Sequence, residues 1–545
     1  MYERAIKPGK AHGAHILSMY ERAIKAGKAH GAHILSMYER ALKPGKAHGA
    51  HILSMYERAL KPDKAHGAHI LSMYEMALKP GKAHGAHILC MCGKAEKRGV
   101  AYSAHIPCMC ERWNKENVMA EKPYNITVKE LNERGSGRIP SELVPASQLI
   151  YSSPATLAFN SPGATGFGVK RAGLAVPGSV MLLVAPGCCG RNTKLVSEIP
   201  GYEDRFFFLL MDESDIVNGD HVGRVPEAVK EVVEYLDEKP SVVMVCGTCV
   251  DALLGTDWDL VCRKAEEASG VPVRPCYMYA LTREGRKPPM VLVRKAIYSL
   301  LEPAKRDPRT VNLLGYFAPL DDDCELYTLL KQAGVRRINE ISRCEDYESY
   351  LGMSKANFNI VLNHEARTAA ADMSSRLGMP YVELTRLYQT DKIANQYRAF
   401  AEGIGAEFDD REYREDAEAA VRGFTEKHEG LRVAVGEMSN ANAFELALAL
   451  TRYGLEVPEI YSSISKEDFV YIRRLAELTP ETRVFTNLSP TMLNYDCGSA
   501  GADLTIGADA AFYSPDCPNV PWNGEKQPFG YEAVRKLFAE MEAAL

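Results

Sequence analysis

From about residue 180 to the carboxyl terminus, short apolar β-rich runs alternate with amphipathic helical stretches, and this alternation limits the architecture more than any other feature. The runs fall at Val180 to Val184, Arg205 to Met211, Ser241 to Val245 and Val311 to Tyr316. Further runs fall at Asn359 to Leu362, Pro380 to Leu384, Leu431 to Gly436, Arg483 to Asn487 and Ala502 to Gly507. Between them lie PEAVKEVVEYLDEK, CELYTLLKQAG, NAFELALALTRYG and KEDFVYIRRLAEL, each with helical spacing of its apolar residues. Strand and helix in turn imply parallel, doubly wound sheets in an α/β fold. Linker-like stretches at Glu302 to Thr310 and Thr425 to Gly430 divide the pattern into about three Rossmann-like units: 119–305, 306–428 and 429–545.

The residues before this pattern are of another kind. Residues 1–90 hold five copies of an 18-residue unit, MYERAIKPGKAHGAHILS, and a degraded sixth copy runs to Cys108. The unit is shorter than the usual period of a solenoid and is interrupted by Pro-Gly and His-Gly. Its near-identical copies fit recent DNA duplication, so residues 1–118 are expected to be disordered or absent from the functional protein. Cys90, Cys92, Cys108 and Cys110 imitate a zinc pattern, but each replaces a Ser or Tyr of the unit. Eleven of the 14 histidines lie here because the HGAH pair was copied with the unit. Residues 1–118 carry 19 Lys+Arg against 9 Asp+Glu; with −6 for the whole chain, residues 119–545 carry −16. A basic tail of this kind could touch nucleic acid or a membrane surface, but neither is expected as a partner of this protein. The sequence also shows neither a signal-peptide core nor a membrane-spanning run, so a cytoplasmic protein is expected. MAEKPYNITVKELNERG, from Met119, reads as an ordinary protein start.

Two of the apolar runs break directly into cysteine: VMLLVAPGCCGRN and SVVMVCGTCVDALLGTDWD. A parallel sheet offers ligand groups at the carboxyl ends of its strands. Cys188, Cys189, Cys246 and Cys249 therefore stand where soft-metal or iron–sulfur chemistry can be built, although buried strand-end cysteines would read the same way. The ten cysteines beyond residue 118 lack the density of a secreted disulfide scaffold, which suits a reducing compartment.

These segments resemble the component 1 (MoFe-protein-like) subunits of nitrogenase and its relatives. APGCCG is similar to the family's Gly-Pro-x-Gly-Cys turn and places Cys189 on a cluster ligand. CVDALLGTD resembles the family's Cys-x-x-x-Leu-Ile-Gly-Asp-Asp and places Cys249 on the next one. LMDESDIVNGD, NIVLNHEARTAAADMSSRLGMPYVEL, ADLTIG and PWNGEKQPFGYEAVRKLFAEM follow family segments in order, the last with Trp522 and the Gly530-Tyr531 pair. The resemblance implies an iron–sulfur cluster, an ATP-hydrolysing iron-protein partner and a second component-1-like subunit, identical or sister. The chain has no G-x-x-x-x-G-K-[ST] loop of its own, so the partner would hydrolyse ATP.

Departures narrow that implication. The family's earlier cluster cysteine is replaced near Gly163, leaving Cys189 and Cys249 as metal ligands, with Cys188 and Cys246 as further cofactor-binding candidates. Two subunits would then supply the four thiolates of a [4Fe–4S] cluster shared across their interface. Asn363 and Val520 stand at the positions of the family's large-cofactor ligands, so no iron–molybdenum cofactor and no dinitrogen reduction are expected. Asn363, His364, Glu365 and Arg367, with Glu437 to Asn440, are candidates to line a substrate crevice, and His364 is the candidate proton donor. Three functions stay open: an oxidoreductase subunit acting on a small molecule, a metallocluster assembly scaffold, and a non-redox binding module.

Overall fold

The computed structural model describes residues 123–144, 155, 168–187, 201–278, 287–495 and 501–545, together with short strands between Ala11 and Tyr102. The chain divides into two compact units, Met1–Glu121 and Lys122–Leu545.

In the second unit the alternation resolves into three α/β sheets, each of which with its helices is termed a domain. The first has a four-stranded parallel sheet in the order Phe206–Leu210, Val180–Ala185, Val243–Thr248, Val273–Met278. The second repeats that order with Arg337–Asn339, Asp307–Leu314, Ala356–Val361 and Tyr381–Glu383, again all parallel. Buried asparagines pin its register: Asn312 Nδ2 donates to Asn359 Oδ1 at 2.8 Å, and Asn339 Nδ2 donates to Asn312 Oδ1 at 2.9 Å. A one-residue slip would leave these amides unpaired in the core.

The third domain has five parallel strands, ordered Arg483–Phe485, Glu459–Tyr461, Val433–Gly436, Leu504–Ile506, Asn519–Val520. A sixth strand, Asn125–Thr127, pairs antiparallel with Arg483–Phe485 at its edge. The sequence division places these residues with the first domain; the structure seats them on the last. Ile126, Val128 and Leu131 enter the apolar core that the second and third domains share, and Val128 N donates to Thr482 O at 2.9 Å. A second core lies between the first and second domains, and a third fills the other face of the first sheet. The middle domain is thus packed on both sides.

Two boundaries differ from the linker expectation. Strand Asp307–Leu314 begins inside the stretch 302–310, and helix Arg411–Lys427 extends into the stretch 425–430. In the first unit, the described strands form two parallel sheets whose register steps by 18 residues, aligning Ile16 with Ile34 and Ile52 with Ile70. Most pairs join like residues of successive copies, with Cys90 opposite Ser72 and Tyr102 opposite His84 where the copies diverge. Among the described residues, no helix is long and apolar enough to cross a membrane.

Candidate functional site

Two places answer the sequence expectations: the turn at Cys249 and a cleft at the strand ends of the second and third domains.

Strand Val243–Thr248 runs into helix Cys249–Leu254, with Thr248 at its N-cap. Among the described residues, the half-buried Cys249 thiol has one long contact, 3.9 Å, to Met278 O. A buried polar network holds the turn behind it. Asp251 accepts from Thr248 N at 3.0 Å and lies 3.0 Å from His221 Nε2, while His221 Nδ1 lies 3.2 Å from Asp215 O. Arg224 donates to both Asp215 oxygens, and the Asp212 backbone bond together with Arg224 lowers the Asp215 pKa. The LMDESDIVNGD segment therefore acts as the support of the Cys249 turn. Gly247 has a packing task too, because an added methyl would lie 2.3 Å from Trp258 Nε1.

The four cysteines are not equivalent. Cys246 is fully buried inside the strand, in register with the equally buried Cys276. Both belong to the core between the first and second domains, and hydrogen bonding to Cys246 with burial raises the Cys276 pKa well above the ordinary thiol value. Cys246 thus faces apolar packing, whereas Cys249 is partly open. Cys188, Cys189 and the Gly163 position lie outside the described residues. Among the described residues, no group of three or more His, Cys, Asp or Glu side chains is placed to hold a metal ion. The thiol of Cys249 suits a soft metal in character and access, but it supplies one ligand.

The cleft has a volume of about 1430 Å³. It receives both segments named from sequence, Asn363 to Arg367 and Glu437 to Asn440, with Ser462 to Glu467 as a third wall. Asn363 caps the turn that begins at His364, accepting from Glu365 N at 3.0 Å; the His364 side chain is exposed. Gly315 has φ of 132°, and a methyl there would lie 2.6 Å from Asn363 N, so the two strand ends touch backbone to backbone. Buried Arg294 donates from Nε and Nη2 to Gly315 O and pairs with Glu365 at 2.7 Å. Glu437 accepts from Ser463 N, Ser463 Oγ and Asn487 Nδ2. Behind it, burial and the Glu437 charge push the Asp509 carboxyl up to about 7. Val520 is buried in the edge strand of the last sheet.

Sequence reasoning did not single out Arg294, Arg386 or the Ser462–Ser465 loop. Arg386 follows the run at Pro380 to Leu384 by two residues, and the strand-end rule applied there points to it. Ser462 follows strand Glu459–Tyr461, which was not expected, so its loop carried no signal.

Residues 165–544 match the family model described as nitrogenase component 1 type oxidoreductase. The chain belongs to this family. Among similar curated proteins is the nitrogenase iron-molybdenum cofactor biosynthesis protein NifE of Sinorhizobium fredii, 23% identical over 369 residues, covering 62% of this chain and 71% of that protein. The NifE of Rhodobacter capsulatus is 25% identical over 356 residues, covering 62% and 73%. A solved structure of nitrogenase Cp1 at pH 6.5 superposes with a TM-score of 0.56 at 15% identity, covering 73% of this chain and 92% of that one. The structural likeness establishes the nitrogenase-like α/β fold expected from the alternation. As a family member, the chain stands among oxidoreductase-type proteins, while these relatives are named for cofactor biosynthesis.

Proposed function

We propose that this family member is an oxidoreductase subunit which receives electrons at a cluster held by Cys249 and Cys189 and passes them to a small molecule in the cleft. One observation carries the reading: the half-exposed thiol of Cys249 stands at a strand end of the first domain, while the described cleft wall holds no cysteine at all. Thiolate chemistry and ligand binding thus have separate places. With two cysteines per chain, a pair of subunits supplies the four thiolates of a [4Fe–4S] cluster, which when bound would relay single electrons. The His221–Asp251 network would fix the backbone that carries Cys249, and the amides near the turn would tune the potential. The electron source would be an ATP-hydrolysing iron protein, and the second subunit an identical or sister chain.

In the cleft, His364 is the proposed proton donor, being exposed at a strand end with no side-chain hydrogen bond among the described residues. Asn363 and Val520 do not suit a large soft-metal cofactor, so no step is assigned to one.

The relatives' printed names favour a second reading, a scaffold on which a metallocluster is built. Anaerobic purification separates the two. About four iron and four sulfide per subunit pair, reduced by an iron protein with ATP and reoxidised by a substrate, is the outcome expected of the redox subunit. A cluster that leaves for an acceptor protein would replace it with the scaffold. His364→Ala should slow turnover while iron stays bound, whereas Cys249→Ala should abolish both; unchanged turnover in His364→Ala removes the proton-donor role.

A further inference from the structure

The side chains of the cleft wall differ sharply in how far their hydrogen bonding is already satisfied. Each of its carboxylates has a partner. Glu365 is paired with Arg294, and Glu383 and Glu467 both with Arg367. Asp468 accepts from Asn442 Nδ2, Ser465 N and Ser465 Oγ, and Glu437 is held by Ser463 and Asn487. Two of the four cations, Arg386 and Lys466, have no carboxylate partner among the described residues. Arg386 stacks on the Tyr316 ring at 4.6 Å, donates from Nη1 to Asn440 O and from Nη2 to Gln527 Oε1, each at 2.8 Å, and its buried Nε–H has no acceptor among the described residues. Neither of its partners is charged, so the guanidinium keeps its full positive charge. Lys466 is exposed on the third wall and makes no ion pair among the described residues.

Each terminal nitrogen of Arg386 makes one of these bonds and carries a second N–H, and a guanidinium edge suits a planar oxyanion. Helix Ala443–Arg452 also starts at the cleft, adding the positive end of its dipole. We infer that the cleft binds a small molecule through a carboxylate group, held by Arg386 and screened by Lys466. This assignment rests on the proposed redox reading, for which it names the class of substrate. Phosphate and sulfate also offer a guanidinium two oxygens, so both are arms of the test.

The test is calorimetric titration of the full chain, purified anaerobically, with succinate, citrate, the uncharged diamide of succinate, inorganic phosphate and sulfate. A carboxylate should bind and the diamide should not. Arg386→Met should weaken binding about tenfold to hundredfold, the effect of one charged hydrogen bond. Because Arg386 also holds Asn440 and Gln527, Lys466→Ala serves as an exposed control and should weaken binding several-fold. No heat from either carboxylate, diamide binding equal to succinate, tighter phosphate or sulfate binding, or indifference to both variants overturns the inference. Iron content and cluster reducibility, measured on the same samples, keep the two readings apart. Lost selectivity with an intact reducible cluster sinks only this inference; retained selectivity without iron sinks only the redox reading.

Discussion

A methyl group on Gly247 would sit 2.3 Å from the indole nitrogen of Trp258, itself almost fully buried, so nothing nearby can give way cheaply. Gly247→Ala should therefore destabilise the first domain by about 1–3 kcal/mol, read as a lowered urea midpoint. Removing Asp251 has a different effect: it strips the acceptor from Thr248 N and from His221, both buried. Asp251→Ala should cost about 1–3 kcal/mol and loosen the turn that carries Cys249. Glu445 introduces pH. Burial raises its carboxyl from 4.5 to about 7, against the donors Tyr388 N and Gln389 Nε2. The native state then holds a proton that the unfolded chain has released, so this group's stabilisation is complete below pH 4.5 and declines as pH rises through about 7. Glu445→Gln should flatten that part of the slope; a wild-type-minus-mutant difference in unfolding free energy that is constant from pH 4.5 to pH 8 would refute the assignment.

At the scale of elements, the turn at Trp522 is unusual: it is the only non-glycine residue with positive φ, 44°, among the described residues. The conformation is held by its own bonds. Trp522 O accepts from Asn440 N, and Trp522 Nε1 donates to Tyr388 Oη at 2.6 Å. Replacing it with Ala should cost about 3–5 kcal/mol of packing, and Gly there should be about 1 kcal/mol better than Ala, reversing the usual order. Denaturation of the two variants side by side checks this. Nine apolar runs found in sequence correspond to strands because each is continuous; most are buried, and the edge strands Phe206–Leu210 and Tyr381–Glu383 are partly exposed. Val273–Met278 was not legible: Arg274 and Pro275 interrupt its apolar character, and both are tolerated because it is an edge strand. Arg337–Asn339 and Glu459–Tyr461 are three residues long and begin with a charged residue, Arg337 donating to Asn339 Oδ1 and Glu459 pairing with Arg483. The candidate site was legible where it sits directly after a recognisable strand, as at Asn363 and Glu437. Arg294 projects from a helix in the first domain, and nothing local to its sequence shows that it meets Gly315.

For the whole molecule, the division at residues 121 and 122 makes a direct prediction. A chain begun at Met119 should match the full chain in iron content and in the unfolding of the three α/β domains. One begun at Gly135 should be markedly less stable, since it loses Ile126, Val128 and Leu131 from a shared core. Tryptic mapping of the native protein decides whether residues 1–118 belong to it, and abundant repeat peptides would show that they do.

The strand Asn125–Thr127 also orders events on the ribosome. Its partner, Arg483–Phe485, is made more than 350 residues later, after the sheets of the first two domains are complete. Until then Ile126, Val128 and Leu131 have nowhere to be buried. Newly made chain should therefore pass through a stage in which two domains are folded while a sticky amino-terminal segment waits for the last. That interval is when a chaperone would bind most usefully, and when premature termination would do most harm.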